Sequence, residues 1–118
     1  NNITEPQLSN FTVPSSFKVD AITLTIATGG IPGYTRLLRK YLQQKLNPAF
    51  GQFNDFLLEQ RDIIKNTAST PAERTSFWRN VLNQNLLQLL ENENIEQAKE
   101  QIQNAVDSFR AQSQNGTR

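Results

Sequence analysis

The hydrophobic positions recur with the period of an α-helix over most of the chain after residue 32. Residues 33–46 carry apolar side chains three and four positions apart, which predicts a first helix. Its inward-facing stripe is expected to comprise Tyr34, Leu37, Leu38, Tyr41, Leu42 and Leu46. A second helix is predicted from Pro48 to about Lys65, and its inward-facing residues are Phe50, Phe53, Leu57 and Ile64.

Capping residues mark where the helices begin. Asn47 precedes a proline, an order typical of an N-cap followed by the first helical residue. Thr70 and Glu73 have the spacing of a capping box around Pro71, and Asn94 starts the last helix with the same spacing. The third helix is predicted to run unbroken through Phe77, Trp78, Val81, Leu82, Leu86, Leu89 and Leu90. The last helix shows a narrow stripe of Ile95, Ala98, Ile102, Ala105 and Phe109.

The segment FKVDAITLTIAT, residues 17–28, fits two structures. Its β-branched residues favour a strand. The spacing of Phe17, Ala21 and Leu24 also permits a helix. Because a single strand in an otherwise helical chain would have no partner unless another chain supplied one, we prefer the helix.

These elements predict an all-α fold. Four or five helices joined by short turns favour a small antiparallel bundle, here with extended polar terminal arms. Residues 1–16 are expected to form an extended N-terminal arm, residues 17–110 the helical bundle domain and residues 111–118 a polar C-terminal tail.

The loop GGIPG, residues 29–33, precedes the first helix. Backbone amides at a helix N-terminus attract anions. The loop nevertheless lacks the Gly-Lys-Ser/Thr ending of a nucleotide P-loop and the GxGxxG spacing of a dinucleotide turn. We therefore interpret it as a hinge, in which Gly29 or Gly30 ends one helix in a left-handed conformation and Pro32-Gly33 turns the chain into the next.

Charge divides the chain into two unlike parts. Residues 21–54 carry four cations and no acid, whereas residues 81–109 carry five acids and one lysine. We expect the basic part of one copy to meet the acidic part of a neighbouring copy. Two alternatives stay open: the two parts lie side by side within one chain, or each is simply a solvated face. The partner-binding candidates are Arg36, Arg39, Lys40, Lys45, Glu93, Glu96 and Glu100, with Trp78 as an aromatic anchor.

Several kinds of chemistry are excluded by composition. The chain has no Cys and no His, so it lacks a thiolate nucleophile, the commonest general base and the commonest metal ligand. Asp55, Glu59 and Asp62 share a helix face, but Arg61 and Lys65 can neutralise two of them, so no metal, catalytic residue or cofactor is predicted. A net charge of +1 argues against a dedicated nucleic-acid partner. No stretch has the ~20 apolar residues of a transmembrane segment.

The sequence thus predicts a non-enzymatic structural subunit of a larger protein assembly. It would dock through helix faces and terminal arms onto the same or different subunits. The absence of Met predicts a processed chain or a fragment of a larger protein, and a viral component fits this description. Glycosylation sequons at Asn2, Asn10 and Asn115 point toward an exported or virion-associated chain, while the compartment stays open.

Two alternatives remain at this stage. The first is a small-ligand or lipid carrier, in which a cavity between helices would be lined by Phe50, Phe53, Phe56 and Leu57. The second is a weak anion-binding module, which would hold nucleic acid or acidic lipid through the basic helix.

Overall fold

The computed structural model describes residues 15–115, which form five helices and one two-stranded sheet. The strands are β1 (Ser15–Val19) and β2 (Ile22–Ile26), and the helices are α1 (Pro32–Lys45), α2 (Pro48–Thr67), α3 (Pro71–Val81), α4 (Gln84–Glu91) and α5 (Ile95–Asn115). The predicted all-α fold is therefore wrong, because strands and helices are mixed.

The predicted terminal arms lie largely outside the described residues. Residues 1–14 and 116–118 belong to that part of the chain. Of the residues assigned to the arms, Ser15 and Ser16 begin β1, and residues 111–115 continue α5. The division of the chain into arms and bundle stays a prediction.

The segment predicted to be a helix is a β-hairpin. β1 and β2 pair antiparallel with Val19 opposite Ile22, so only Asp20 and Ala21 form the turn. Asp20 has a φ of 54°, and tight hairpin turns place a positive φ at this position. The helix prediction failed because it assumed a lone strand, whereas the two-residue turn lets one short segment supply both strands.

The hairpin packs against α2 through a close contact with Gly51. A Cβ atom on Gly51 would collide with the Asp20 carboxylate and lie 2.9 Å from Cγ1 of Val19. Phe17, on the same face of β1 as Val19, exposes only 7% of its surface. The hairpin is thereby held against the helices by one buried ring and one backbone contact.

The GGIPG loop is a hinge, as the sequence predicted, but it joins a strand to a helix. Gly29 and Gly30 have φ values of 76° and 116°, which favour glycine. The hydroxyl groups of Thr28 and Thr35 lie 2.6 Å apart, and each lies 3.1 Å from the Ile31 carbonyl oxygen, to which it can donate. This network fixes the direction in which α1 leaves the hairpin.

The hydrophobic core lies where α2, α4 and α5 pack together, with α3 against one side. Ile64 from α2 and Ile102 and Val106 from α5 are fully buried. The helical periodicity had placed Ile64 and Ile102 inward, which the structure confirms, whereas it had not singled out Val106. The remaining core residues are Ala49, Phe50, Phe53, Phe77, Leu86, Leu90 and Ala98.

The third predicted helix is two helices. α3 ends before Leu82, and Asn83 begins α4 by accepting a hydrogen bond from the Leu86 backbone N–H at 3.2 Å. Asparagine competes with the helix for backbone hydrogen bonds, which explains the break inside an otherwise continuous apolar pattern. The predicted caps at Asn47 and Thr70 are confirmed.

The arrangement of the elements is elongated. α1 packs on β1 and β2 rather than on the helical core. The Cα radius of gyration is 19.2 Å and the extents are 59 × 34 × 19 Å. A compact domain of this length has a radius of gyration of about 13–14 Å. The elements therefore do not form a compact body, and they leave more surface uncovered than a compact monomer would.

Candidate interaction surface

One face of α1 is apolar and exposed to solvent. Ile31, Tyr34, Leu37 and Tyr41 follow one another at intervals of about one helical turn, and each exposes between 51% and 63% of its surface. We call these four residues the α1 ridge. Exposed apolar patches of this kind mark interaction surfaces on soluble proteins.

The α1 ridge corrects the predicted orientation of the first helix. Tyr34, Leu37 and Tyr41 were expected to face inward, but they face solvent. The helix packs on the hairpin through the neighbouring side, where Thr35 is buried and Leu38 is half-buried. The apolar stripe is too wide to be covered by the hairpin alone.

The four predicted cations lie on α1 at different angles around the helix. At 100° per residue, Lys40 and Lys45 flank the α1 ridge, whereas Arg36 and Arg39 point to the opposite side. Nζ of Lys45 lies 5.6 Å from the centre of the Tyr41 ring, a cation–π distance. Nε of Arg39 is buried without a hydrogen-bond partner among residues 15–115.

The predicted acidic residues are exposed. Glu93 lies in the turn before α5 with a φ of 62°, and Glu96 and Glu100 lie on α5 itself. α5 packs on α2, α3 and α4 and is not a packing partner of α1. Within the described part of the chain, the one ion pair joins Arg61 and Asp62, whose Nε and Oδ1 are 3.9 Å apart. The basic and acidic parts nevertheless meet at one point within a chain, because Nδ2 of Asn47, just after α1, donates to the carbonyl oxygens of Leu90 and Glu91 at 3.0 and 3.4 Å. The role of the charged residues at an interface stays a prediction.

Trp78 is half-buried on α3. Its ring meets Phe77 edge-on with 4.9 Å between ring centres, and Phe77 in turn lies 5.1 Å from Phe109. This aromatic cluster attaches α3 to α5. The part of Trp78 that remains exposed lies beside Arg61 and Arg74, and its predicted role as a partner anchor is untested.

A second exposed apolar surface is an open groove of about 440 Å³ between α2 and α4, bordered by Ile22 of the hairpin. Among the residues that the structure describes, no charged side chain lines it. Its apolar walls comprise Phe50, Phe53 and Leu57 on one side and Leu82, Leu87 and Leu90 on the other. Leu82 and Leu87 expose 43% and 52% of their surfaces. We call this surface the α2–α4 groove.

The sequence had named one wall of the α2–α4 groove and missed the other. Phe50, Phe53 and Leu57, which were predicted to line a ligand cavity, lie along this open groove, and their predicted role in holding a ligand is untested. Phe56 does not: its ring stacks on Phe53 at 6.0 Å and lies 5.6 Å from Nζ of Lys99. Leu87, an apolar residue of α4 that the predicted inward stripe did not include, was the available signal for the missing wall.

The described residues offer no arrangement suited to a metal ion. No group of three or more Asp or Glu side chains within residues 15–115 is close enough to share one. In the same part of the chain, none of the helices combines the length and the apolar character that crossing a membrane requires.

Part of the chain matches a known protein family. Residues 49–106 match the family described as the sirohaem synthase dimerisation region. The matched segment contains all of α3 and α4 and nearly all of α2. Both walls of the α2–α4 groove lie inside it, whereas the α1 ridge lies outside it.

Individual relatives are named siroheme synthase. The chain is 35% identical to the siroheme synthase of Nitrosospira multiformis over 83 residues, which cover 70% of this chain and 18% of that protein. It is 32% identical to siroheme synthase 2 of Yersinia enterocolitica over 117 residues, which cover 95% of this chain and 25% of that protein. The chain therefore spans between about a fifth and a quarter of the length of these relatives.

A solved structure shows a similar fold. The precorrin-2 dehydrogenase SirC superposes with a TM-score of 0.56 at 20% sequence identity, over 77% of this chain and 47% of that one. The likeness concerns the fold alone, and it supports mixed strands and helices in place of the predicted all-α bundle.

These comparisons contradict the function predicted from the sequence. The chain resembles part of an enzyme, so the prediction of a non-enzymatic structural or viral component is wrong. The carrier and anion-binding alternatives are replaced by the same finding. The prediction of a protein partner is confirmed in its general form, because a dimerisation region associates with another protein chain.

Proposed function

We propose that this chain is the dimerisation region of an enzyme of the siroheme synthase family and that it pairs two copies of that enzyme. The observation that carries the proposal is the match of residues 49–106 to the sirohaem synthase dimerisation region. Siroheme synthesis, the activity named for the relatives, is assigned in this proposal to the longer protein of which the chain would be one part.

The shape of the chain supports self-association. A radius of gyration of 19.2 Å leaves the α1 ridge and the α2–α4 groove uncovered at the same time. Burial of apolar surface stabilises a complex by roughly 25 cal/mol per Å², so covering both surfaces favours a dimer. Most homo-oligomers are two-fold dimers, in which each copy contributes the same surfaces.

Sedimentation velocity of the purified chain tests this proposal. Over concentrations from about 1 to 300 µM, where moderately stable dimers assemble, we expect a species of twice the 13.4 kDa chain mass. Mixing isotopically heavy and light chains should add a hybrid mass in native mass spectrometry, which separates specific pairing from aggregation. A monomer at every concentration would contradict the proposal.

A further inference from the structure

We propose that the α1 ridge of one copy occupies the α2–α4 groove of its partner, and that the partner's ridge occupies the first groove in the same way. This inference rests on the proposed function, because it specifies how the two copies meet. The family match includes the groove but not the ridge, so the match does not itself identify the ridge as an interface.

The two surfaces are complementary in form and length. The ridge is a convex helix face, and the groove is a concave apolar channel between two helices. From Tyr34 to Tyr41 the ridge extends about 10 Å, and the α4 wall from Gln84 to Leu90 extends about 9 Å, at 1.5 Å per residue. An amphipathic helix that places its apolar face in such a groove is a recurrent mode of recognition.

Neither surface is covered by another element among residues 15–115. α1 packs on β1 and β2, and the ridge residues face away from that contact into solvent. Within the described part of the chain no other element fills the groove, since Leu82 and Leu87 remain 43% and 52% exposed. A second copy supplies a helix of the right character for each groove without any change of fold.

Charge complements the apolar fit. α1 carries four cations and no acid, and Lys40 and Lys45 flank the ridge. Residues 82–94, which include α4, carry Glu91 and Glu93 and no cation. Lysines at the edge of the ridge would therefore meet glutamates at the end of the groove, which orients the docking. The groove lining is uncharged, so apolar packing there requires no buried ion pair.

Exchanging these charges tests the contact. One variant carries Lys40→Glu with Lys45→Glu on the ridge, and the other carries Glu91→Lys with Glu93→Lys beside the groove. Each homodimer then has like charges in both contacts, and its dissociation constant should rise about tenfold. The mixed dimer has opposite charges in both contacts. We expect native mass spectra of an equimolar mixture to show hybrid dimers well above the roughly one-half that random pairing gives.

A matched control uses two acids elsewhere. Glu96→Lys with Glu100→Lys changes the charge by the same amount on α5, where neither residue lines the groove. In an equimolar mixture of this control with the ridge variant, hybrid dimers should make up only the roughly one-half that random pairing gives. An equal hybrid excess for the control would show that net charge alone selects the partner, and it would overturn the inference.

Cysteine cross-linking tests the placement directly, because the chain has no Cys of its own. Leu37→Cys and Leu87→Cys are made in separate chains, mixed and treated with a short bismaleimide. We expect ridge-to-groove hybrids to cross-link at least several-fold more than a control mixture of Leu37→Cys with Leu58→Cys. Like Leu87, Leu58 is an exposed leucine, but it lies on α2 and does not line the groove.

The outcomes separate this inference from the proposed function. A chain that dimerises but shows random charge mixing and no preferred cross-link would overturn the ridge-in-groove contact and leave dimerisation standing. A chain that never dimerises would overturn both.

Discussion

Gly51 is the residue at which the hairpin and the helical core come closest. It is buried on α2, and a methyl group there would meet the Asp20 carboxylate and the Val19 side chain. Inside a helix, glycine normally costs ~0.5–1 kcal/mol relative to alanine. The close approach of residues about thirty positions away explains why glycine is accommodated here, and no local pattern in the sequence indicates it.

Replacing Gly51 by alanine should therefore destabilise the protein despite the better helix propensity of alanine. We expect Gly51→Ala to lower the free energy of unfolding by about 1–3 kcal/mol, because the added methyl group pushes the hairpin away from α2. Urea unfolding measures this change.

Gly33→Ala is the matched control. Gly33 is also helical, and an added Cβ there would meet no atom within 4 Å. This variant should be unchanged or more stable by up to about 1 kcal/mol. A stabilised Gly51→Ala protein would contradict the packing of the hairpin on α2.

Among the elements, helix starts were predictable and the hairpin was not. Asn47 and Thr70 were recognised as caps because a cap bonds a backbone N–H only two or three residues away. Asn83 has the same role at α4, but it lies within an apolar pattern that continues on both sides and hid the break. The hairpin was missed because pairing depends on a turn that brings the two strands together.

At the scale of the elements, we predict what happens when the N-cap of α4 at Asn83 is removed. Asn83→Ala removes the acceptor for the Leu86 N–H and should lower the free energy of unfolding by about 1 kcal/mol. Hydrogen exchange at the Leu86 amide should become faster, because α4 then frays from its first turn. Asn85→Ala, at an exposed position inside the same helix, should leave that exchange rate unchanged. Equal rates in the two variants would show that Asn83 does not hold the start of α4.

At the scale of the whole molecule, dimerisation and stability should be linked. The elements form an elongated arrangement, and association would cover the apolar surfaces that α1 and the groove expose. A ligand that binds only the folded state raises its apparent stability, and a second copy acts as such a ligand.

The melting temperature should consequently rise with chain concentration. For reversible unfolding of a dimer of 118-residue chains, a hundredfold increase in concentration should raise Tm by about 5 °C. Circular dichroism in cells of different path length measures this shift and confirms equal helical content at the start. A Tm that is independent of concentration would argue that folding does not depend on the partner.

The sequence by itself determined the features that depend on near neighbours. These include the starts of α2 and α3 at prolines, the caps at Asn47 and Thr70, and the inward stripe of α5. Each rests on hydrogen bonds or side-chain spacing within a few residues, so the local pattern is enough. One wall of the α2–α4 groove was also predictable, because Phe50, Phe53 and Leu57 share a helix face.

Only the tertiary structure decided which apolar faces stay uncovered. An apolar stripe on α1 has the same sequence pattern whether it packs on its own chain or on a partner. The hairpin, held against α2 at Gly51, covers one side of α1 and leaves Tyr34, Leu37 and Tyr41 in solvent. That outcome depends on contacts between segments far apart along the chain, and the helical period cannot encode them.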